Sequence, residues 1–297
     1  MRRNKLIQEI ITERWAVRYE FARGYEHAIH TMTKTGNLPG IEMEKEAIAF
    51  RTNTSLTYDE KVGYAEAEED SVAIIDIIGP MTRYGGWCSY GTEDYADLIS
   101  MAMNASNISA ILLNIDTPGG STSSLFPMEE LMRKTNKPIV AYVNAMAYSA
   151  GYYLASLCSS IIANNKMAEV GSIGVMAALT DTRKADEKRG YKIIYLHPEE
   201  SNFKNRAVRS ALDGDYDELV DTMLRPWAIH FQNVVKEGRS GKLDVSIEGL
   251  LNGREFYAYD AVKNGLVDDI MDIESAILYT ANLAVANNKN KQILSML

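Results

Sequence analysis

Between Ala145 and Ser156 the chain reads AMAYSAGYYLAS, a serine set among small residues where a β-type run gives way to a helix. A serine at such a helix start has its hydroxyl beside backbone N–H groups that no intrahelical carbonyl accepts, at the positive end of the helix dipole. Donors of that kind can hold the oxyanion of a tetrahedral intermediate, so the chemistry offered by Ser149 is acyl transfer. A second turn, Asp116-Thr117-Pro118-Gly119-Gly120, ends the preceding β-type run. Its glycines would let a backbone N–H approach the same point. Read from the residues alone, each feature has a plainer alternative: a serine packed at a buried helix start, and a Pro-Gly-Gly turn.

A serine nucleophile needs a base. The four histidines are His27, His30, His197 and His230, and none lies in a Ser-His-Asp pattern. Gly-x-Ser-x-Gly is also absent, because the local run is Ala147-Tyr148-Ser149-Ala150-Gly151. A lysine can serve when burial leaves its amine neutral. Lys204, in the loop PEESNFKNR after the β-type run KIIYLH, is the candidate, with Lys192 inside that run as the runner-up.

The elements that must position these groups follow from the pattern. SVAIIDII reads as a buried strand, and from Thr92 a helix opens with Glu93 and Asp94 in its first turn, its face made by Tyr95, Leu98, Ile99 and Ala102. AILLNID, a helix over about Leu125 to Lys134, PIVAYV, the Ser149 turn and helix, SIIA and GSIGVM come next, then KIIYLH as a further β-type run. This β-α-β-α-β-α-β order predicts an α/β domain with mostly parallel strands, whose ligands collect at the carboxyl ends of the strands. Residues 4–33 read as a helical arm, with Leu6, Ile7, Ile10 and Ile11 as its stripe, and Thr35 to Asp70 as a polar linker.

Composition excludes several classes. A 297-residue chain that is 46% hydrophobic buries a large core, and a net charge of −9 argues against binding nucleic acid. Cys88 and Cys158 show neither metal-ligand nor disulfide spacing. The uncharged run from Pro138 to Asn165 is long enough to span a membrane, but Pro138, Gly151 and its serines divide it into strand, turn, helix and strand. Glu9 and Glu13 interrupt the apolar run that a signal peptide or membrane anchor needs, so a protein without an anchor, in the cytoplasm, is expected.

LLNIDTPGGS, AMAYSAGYYLAS, VGSIGVM, the NFKNR loop and LNGREFYAYDAVKNGLVDDI stand in the order found in the signal peptide peptidase A (protease IV) family of Ser/Lys serine peptidases. The chain resembles that family over about residues 70 to 272. The resemblance implies a Clp-protease/crotonase-like fold of repeated β-β-α units, and peptide-bond cleavage by a serine nucleophile and a lysine base without metal or cofactor. Carried across, Ser149 is the nucleophile and Lys204 the base. The backbone N–H groups of Gly120 and Ala150 form the oxyanion hole, and Ser172 orients the lysine amine. Many members have Ser-Gly-Gly where this chain has Ser149-Ala150-Gly151, but alanine still supplies the N–H.

The missing anchor, the ERWAV arm and the compact length resemble the phage and prophage branch, whose members process scaffold and capsid proteins. The chain ends at Leu297 without a scaffold-like extension, so the expected substrate is a separate protein, met in host cytoplasm or prohead. The expected domains are an arm and linker over 1–70, a peptidase domain over 71–272 and a C-terminal helix over 273–297. Arm and C-terminal helix are the expected contacts of a homo-oligomeric ring, and the acidic stretch before Ser71 is a candidate self-processing site. Two rival readings are a catalytically silent assembly protein on the same fold and an acyl-CoA enzyme. The second lacks support, since the two turns supply no carboxylate beyond Asp116. A general peptidase of signal peptides or proteins is a third alternative.

Overall fold

The computed structural model describes residues 15–17, 64, 67–85 and 90–295, with residues 15–17 and 290–295 described through their backbone alone. Most of the expected arm and linker lies outside the described residues, whereas residues 67–70 of the acidic stretch before Ser71 are described. Within the expected helical arm, Trp15–Val17 forms a short strand, β1.

The core is built on strands that bury both faces. In β2 (Ser71–Ile78) Ala73, Ile75 and Ile77 face one apolar cluster, while Val72 and Ile74 face another. That two-sided burial turns the strand sequence into a continuous apolar run, as parallel strands require. Helix α1 (Thr92–Asn104) buries the expected Tyr95, Leu98, Ile99 and Ala102. Its start is fixed where the Gly91 N–H donates to the Asp94 carboxylate at 2.9 Å. Strand β3 (Ile108–Thr117) runs parallel to β2, and the short β4 (Gly119–Ser121) follows it at once. A 3-10 turn over Thr122–Leu125 leads into α2 (Phe126–Arg133). Then come β5 (Ile139–Tyr148), α3 (Ala150–Ser156), β6 (Ser160–Ala163) and β7 (Glu169–Gly171).

The C-terminal part supplies α4 (Arg183–Lys188), α5 (Arg206–Leu212), α6 (Arg225–Gly238), β8 (Glu255–Tyr257), α7 (Ala258–Asn264), β9 (Asp269–Ile270) and α8 (Ile273–Ser295). The sheet order is β2-β3-β5-β6-β9, all parallel, while β7 pairs with the far end of β5 and β8 closes antiparallel on β7. Helices α1, α2, α3 and α6 cover one face. Ala276 and Ala284 of α8 are buried against the other.

A buried ion pair ties α6 to the strand that follows α7. Arg239, 1% exposed, donates to both Asp268 carboxylate oxygens at 2.6 and 3.0 Å and to the Gly265 carbonyl at 2.9 and 2.8 Å. The Ile161 N–H adds a bond to Asp268 at 2.7 Å. Burial works against the charged carboxylate, but the bonds from Arg239, Lys242 and Ile161 outweigh it and hold Asp268 well below the usual carboxylate range.

One expected strand is absent. Residues 191–198, which include KIIYLH and Lys192, have no regular structure, and Tyr191, Ile193, Ile194, Tyr195 and Leu196 are exposed, Leu196 at 90%. A β-type sequence becomes a strand only when an edge pairs with it, and no described strand of this chain does so.

Candidate active site

Strand β5 carries the chain to Tyr148 and α3 begins at Ala150, so the whole reversal falls on Ser149. Its backbone has φ 52° and ψ −115°, a conformation that is uncommon for a residue with a side chain. Holding a residue there costs about 1–3 kcal/mol, and the surroundings supply the restraint. The Ser149 N–H donates to the Gly171 carbonyl at 2.9 Å, and the Tyr153 N–H donates to the Ser149 carbonyl at 2.8 Å. Every residue of α3 is buried. Tyr152 donates its hydroxyl to the Leu266 carbonyl at 2.8 Å, anchoring the helix from below.

Tyr153 anchors the other side. Its hydroxyl donates to Glu129 at 2.5 Å and lies 3.0 Å from the His230 ring. Burial, with Glu129 beside it, pushes the Tyr153 phenol up. Burial also opposes the Glu129 charge, but the hydroxyl and Arg133 hold that carboxyl below its ordinary value. His230 is thus committed to a contact beneath α3.

The Ser149 side chain is 2% exposed and its hydroxyl donates to the Gly174 carbonyl at 3.3 Å. It opens on a cavity of about 350 Å³ shared with Ser172 and walled by Ile173, Val175, Gln232 and Asn252. That volume lies within the range of small-ligand sites, roughly 300–1,000 Å³. Ser172 is also held at positive φ, 53°, and its N–H donates to the Arg254 carbonyl at 3.0 Å.

The Pro-Gly-Gly turn meets α3 as the sequence suggests. A Cβ on Gly151 would lie 2.3 Å from the Thr117 methyl, so α3 begins against the junction of β3 and β4. A Cβ on Gly120 would lie 1.7 Å from the Met81 carbonyl oxygen, which only glycine permits. Met81 takes up one edge of β4: its N–H donates to Gly119 at 2.9 Å and its carbonyl accepts from Ser121 at 3.0 Å. The other edge pairs antiparallel with β1, with Ala16 opposite Gly120.

Lys204 stands apart from this assembly. It is exposed on the turn before α5; its N–H donates to the Ser201 carbonyl at 3.0 Å, and its carbonyl accepts from Arg209. Among the described residues, no lysine lines the Ser149 cavity. The structure therefore gathers Ser149, Ser172 and the Gly120 loop around α3 and leaves Lys204 outside. Among the described residues no cluster of His, Cys, Asp or Glu is placed to hold a metal ion, and no helix is long and apolar enough to cross a membrane.

Gln232 and residues 251–253 line the cavity although the sequence pattern assigns them no place there. Gln232 of α6 donates its amide to the Leu251 carbonyl at 2.9 Å and to the Asn252 side chain at 3.0 Å, which fixes the wall. The stretch beginning LNGREF signals only packing by pattern, yet it brings Leu251, Asn252 and Gly253 to the cavity. Nothing local marks Gln232, since a polar residue on an amphipathic helix normally faces water.

The pattern of Peptidase family S49 matches residues 132–287, more than half of the chain, and the chain belongs to that family. It is 27% identical over 190 residues to Protease 4 of Haemophilus influenzae, covering 63% of this chain and 30% of that protein. It is also 27% identical over 194 residues to the Capsid assembly protease C of Escherichia phage lambda, covering 63% of this chain and 43% of that one. The chain thus spans less than half the length of either relative. A solved structure titled as a 1510-N membrane-bound stomatin-specific protease matches at 19% identity and a TM-score of 0.48, over 72% of this chain and 85% of that chain.

Proposed function

We propose that this chain is a serine endopeptidase whose nucleophile is Ser149. The observation that carries the reading is the strained, fully restrained Ser149 turn, buried at the head of α3 and opening on a cavity. Its hydroxyl attacks a peptide carbonyl, and the N–H groups of Gly120 and Ala150 receive the developing charge. Lys204, neutral, takes the hydroxyl proton and returns it to the leaving amine, with Ser172 orienting its amine.

Lys204 reaches the site only when the exposed segment 177–205 packs onto it. The large apolar side chains of residues 191–196 are the surface such packing would bury. We assign that burial to a homo-oligomeric ring. The peptidase domain is residues 71–272, between the arm and linker 1–70 and the C-terminal helix 273–297. The likeness to a phage capsid assembly protease supports scaffold or capsid proteins as substrates, in host cytoplasm or prohead.

A second reading, an assembly protein that keeps the fold without the activity, is favoured by one observation: among the described residues no lysine lines the cavity. Intact mass after a fluorophosphonate probe separates the two. The peptidase reading expects one adduct on Ser149, absent in Ser149→Ala and slowed about 10²–10⁴-fold in Lys204→Ala. Labelling that rises with pH from neutral to alkaline is expected for an amine base; a flat profile would count against Lys204. A folded wild-type protein that takes no adduct at any oligomeric state would favour the silent reading.

A further inference from the structure

Strand β4 is three residues long, and its two edges have different occupants. The Gly119 carbonyl and the Ser121 N–H both point to Met81. Because backbone groups alternate from side to side along a strand, the N–H and carbonyl of Gly120 point the other way, toward β1. The β1 register is Trp15 opposite Ser121, Ala16 opposite Gly120 and Val17 opposite Gly119. In an antiparallel pair, opposite residues either exchange both hydrogen bonds or neither. Ala16 and Gly120 are therefore the exchanging pair, and the Ala16 carbonyl faces the Gly120 N–H.

That N–H is the donor assigned above to the oxyanion hole, and α3, which begins with the second donor, Ala150, packs against β4. We propose that Trp15–Val17 is an internal substrate strand and that the Ala16–Val17 peptide bond is a self-processing site for Ser149. The proposal rests on the reading of Ser149 as a nucleophile. An edge strand of another protein would bind β4 by the same main-chain pairing, so β1 also holds that edge until it is cut or displaced.

The step balances without any group beyond the site and water. Ser149 Oγ bonds to the Ala16 carbonyl carbon, the Ala16–Val17 C–N bond breaks, and the hydroxyl proton passes through the base to the Val17 nitrogen, which leaves as an amine. Water then adds to the Ala16 ester, freeing the Ser149 hydroxyl and leaving residues 1–16 with a terminal carboxylate. The site differs from the acidic stretch before Ser71 considered from sequence, since it is chosen by register against Gly120.

The test is intact mass and N-terminal sequencing of the full-length chain, freshly purified and incubated, as wild type and as Ser149→Ala, with fluorophosphonate labelling of the wild type in parallel. The expected result is conversion of wild type to a chain beginning at Val17 and an uncut Ser149→Ala protein. A wild-type chain that labels at Ser149 but keeps residues 1–16, or is cut only at another bond, would overturn the proposal and leave β1 as an ordinary edge cover. Cleavage at the same bond in Ser149→Ala would overturn it as well. An uncut wild type that also fails to label would overturn this proposal together with the nucleophile reading.

Discussion

The Ser149 turn and the Lys204 segment are built on opposite principles. Ser149 sits at the end of a central strand, its backbone bonded to Gly171 and Tyr153, with a helix of wholly buried residues behind it. The segment from Ala177 to Asn205 is exposed almost throughout, with its large apolar side chains in water. A strained backbone persists only where neighbours over-determine it, so the proposed nucleophile belongs on the sheet. A segment whose apolar residues lack a core is held by whatever covers it, so the proposed base would arrive with a partner surface. On the proposed reading, one half of the site is a product of folding and the other of assembly.

The most severe way to break this comparison is Ser149→Ala. Peptidase turnover should fall by about 10⁴-fold or more, while thermal unfolding stays within about 0.5 kcal/mol of wild type, since alanine keeps the same Cβ at the strained position. A large loss of stability would show that the serine has a structural role instead.

The scaffold beneath the turn is sharpened by Arg239→Met. Removing the buried guanidinium leaves Asp268 with only Lys242 and the Ile161 N–H as partners, so urea unfolding should report a loss of up to about 3–5 kcal/mol. The Asp268 carboxyl is held below its unfolded value of about 3.9. Its contribution is therefore present above that pH and is lost as pH falls toward the folded value. The gap between wild type and variant should narrow below about pH 4; a constant gap down to the acid transition would remove the ion pair from the account.

Gly120→Ala probes the β4 loop itself. Its Cβ would meet the Met81 carbonyl oxygen at 1.7 Å, and relieving that contact displaces the backbone that carries the proposed oxyanion donor. A stability loss of about 1–3 kcal/mol is expected from the strain, with a kcat fall of about 10²–10³-fold. Wild-type kcat in a folded variant would place the donor elsewhere.

The mildest effect falls on the other half of the site. Leu196→Ser, at a side chain 90% exposed, should change the stability of the isolated chain by no more than about 0.5 kcal/mol. Sedimentation and turnover should nevertheless both weaken if the segment packs against a second copy. An unchanged oligomer with unchanged turnover would end the view that residues 191–196 are an assembly surface.

Much of the fold was legible before any coordinates. The apolar runs of β2, β3, β5 and β6 and the stripe of α1 state their own periodicity, and Ser149 and the Gly119-Gly120 turn stand out because both fall at strand ends, although each alone reads equally as packing or a turn. These are local signals, set by pleat, helix period and backbone sterics. What only the tertiary structure decided depends on partners distant in sequence. Residues 191–196 have the composition of a strand and are not one, because no described strand pairs with them. Trp15–Val17 was read as helix by its neighbours and became a strand because β4 had an edge to fill. Gln232 and Asn252 reached the cavity, and Lys204 stayed outside it, through the placement of whole elements that no local pattern records.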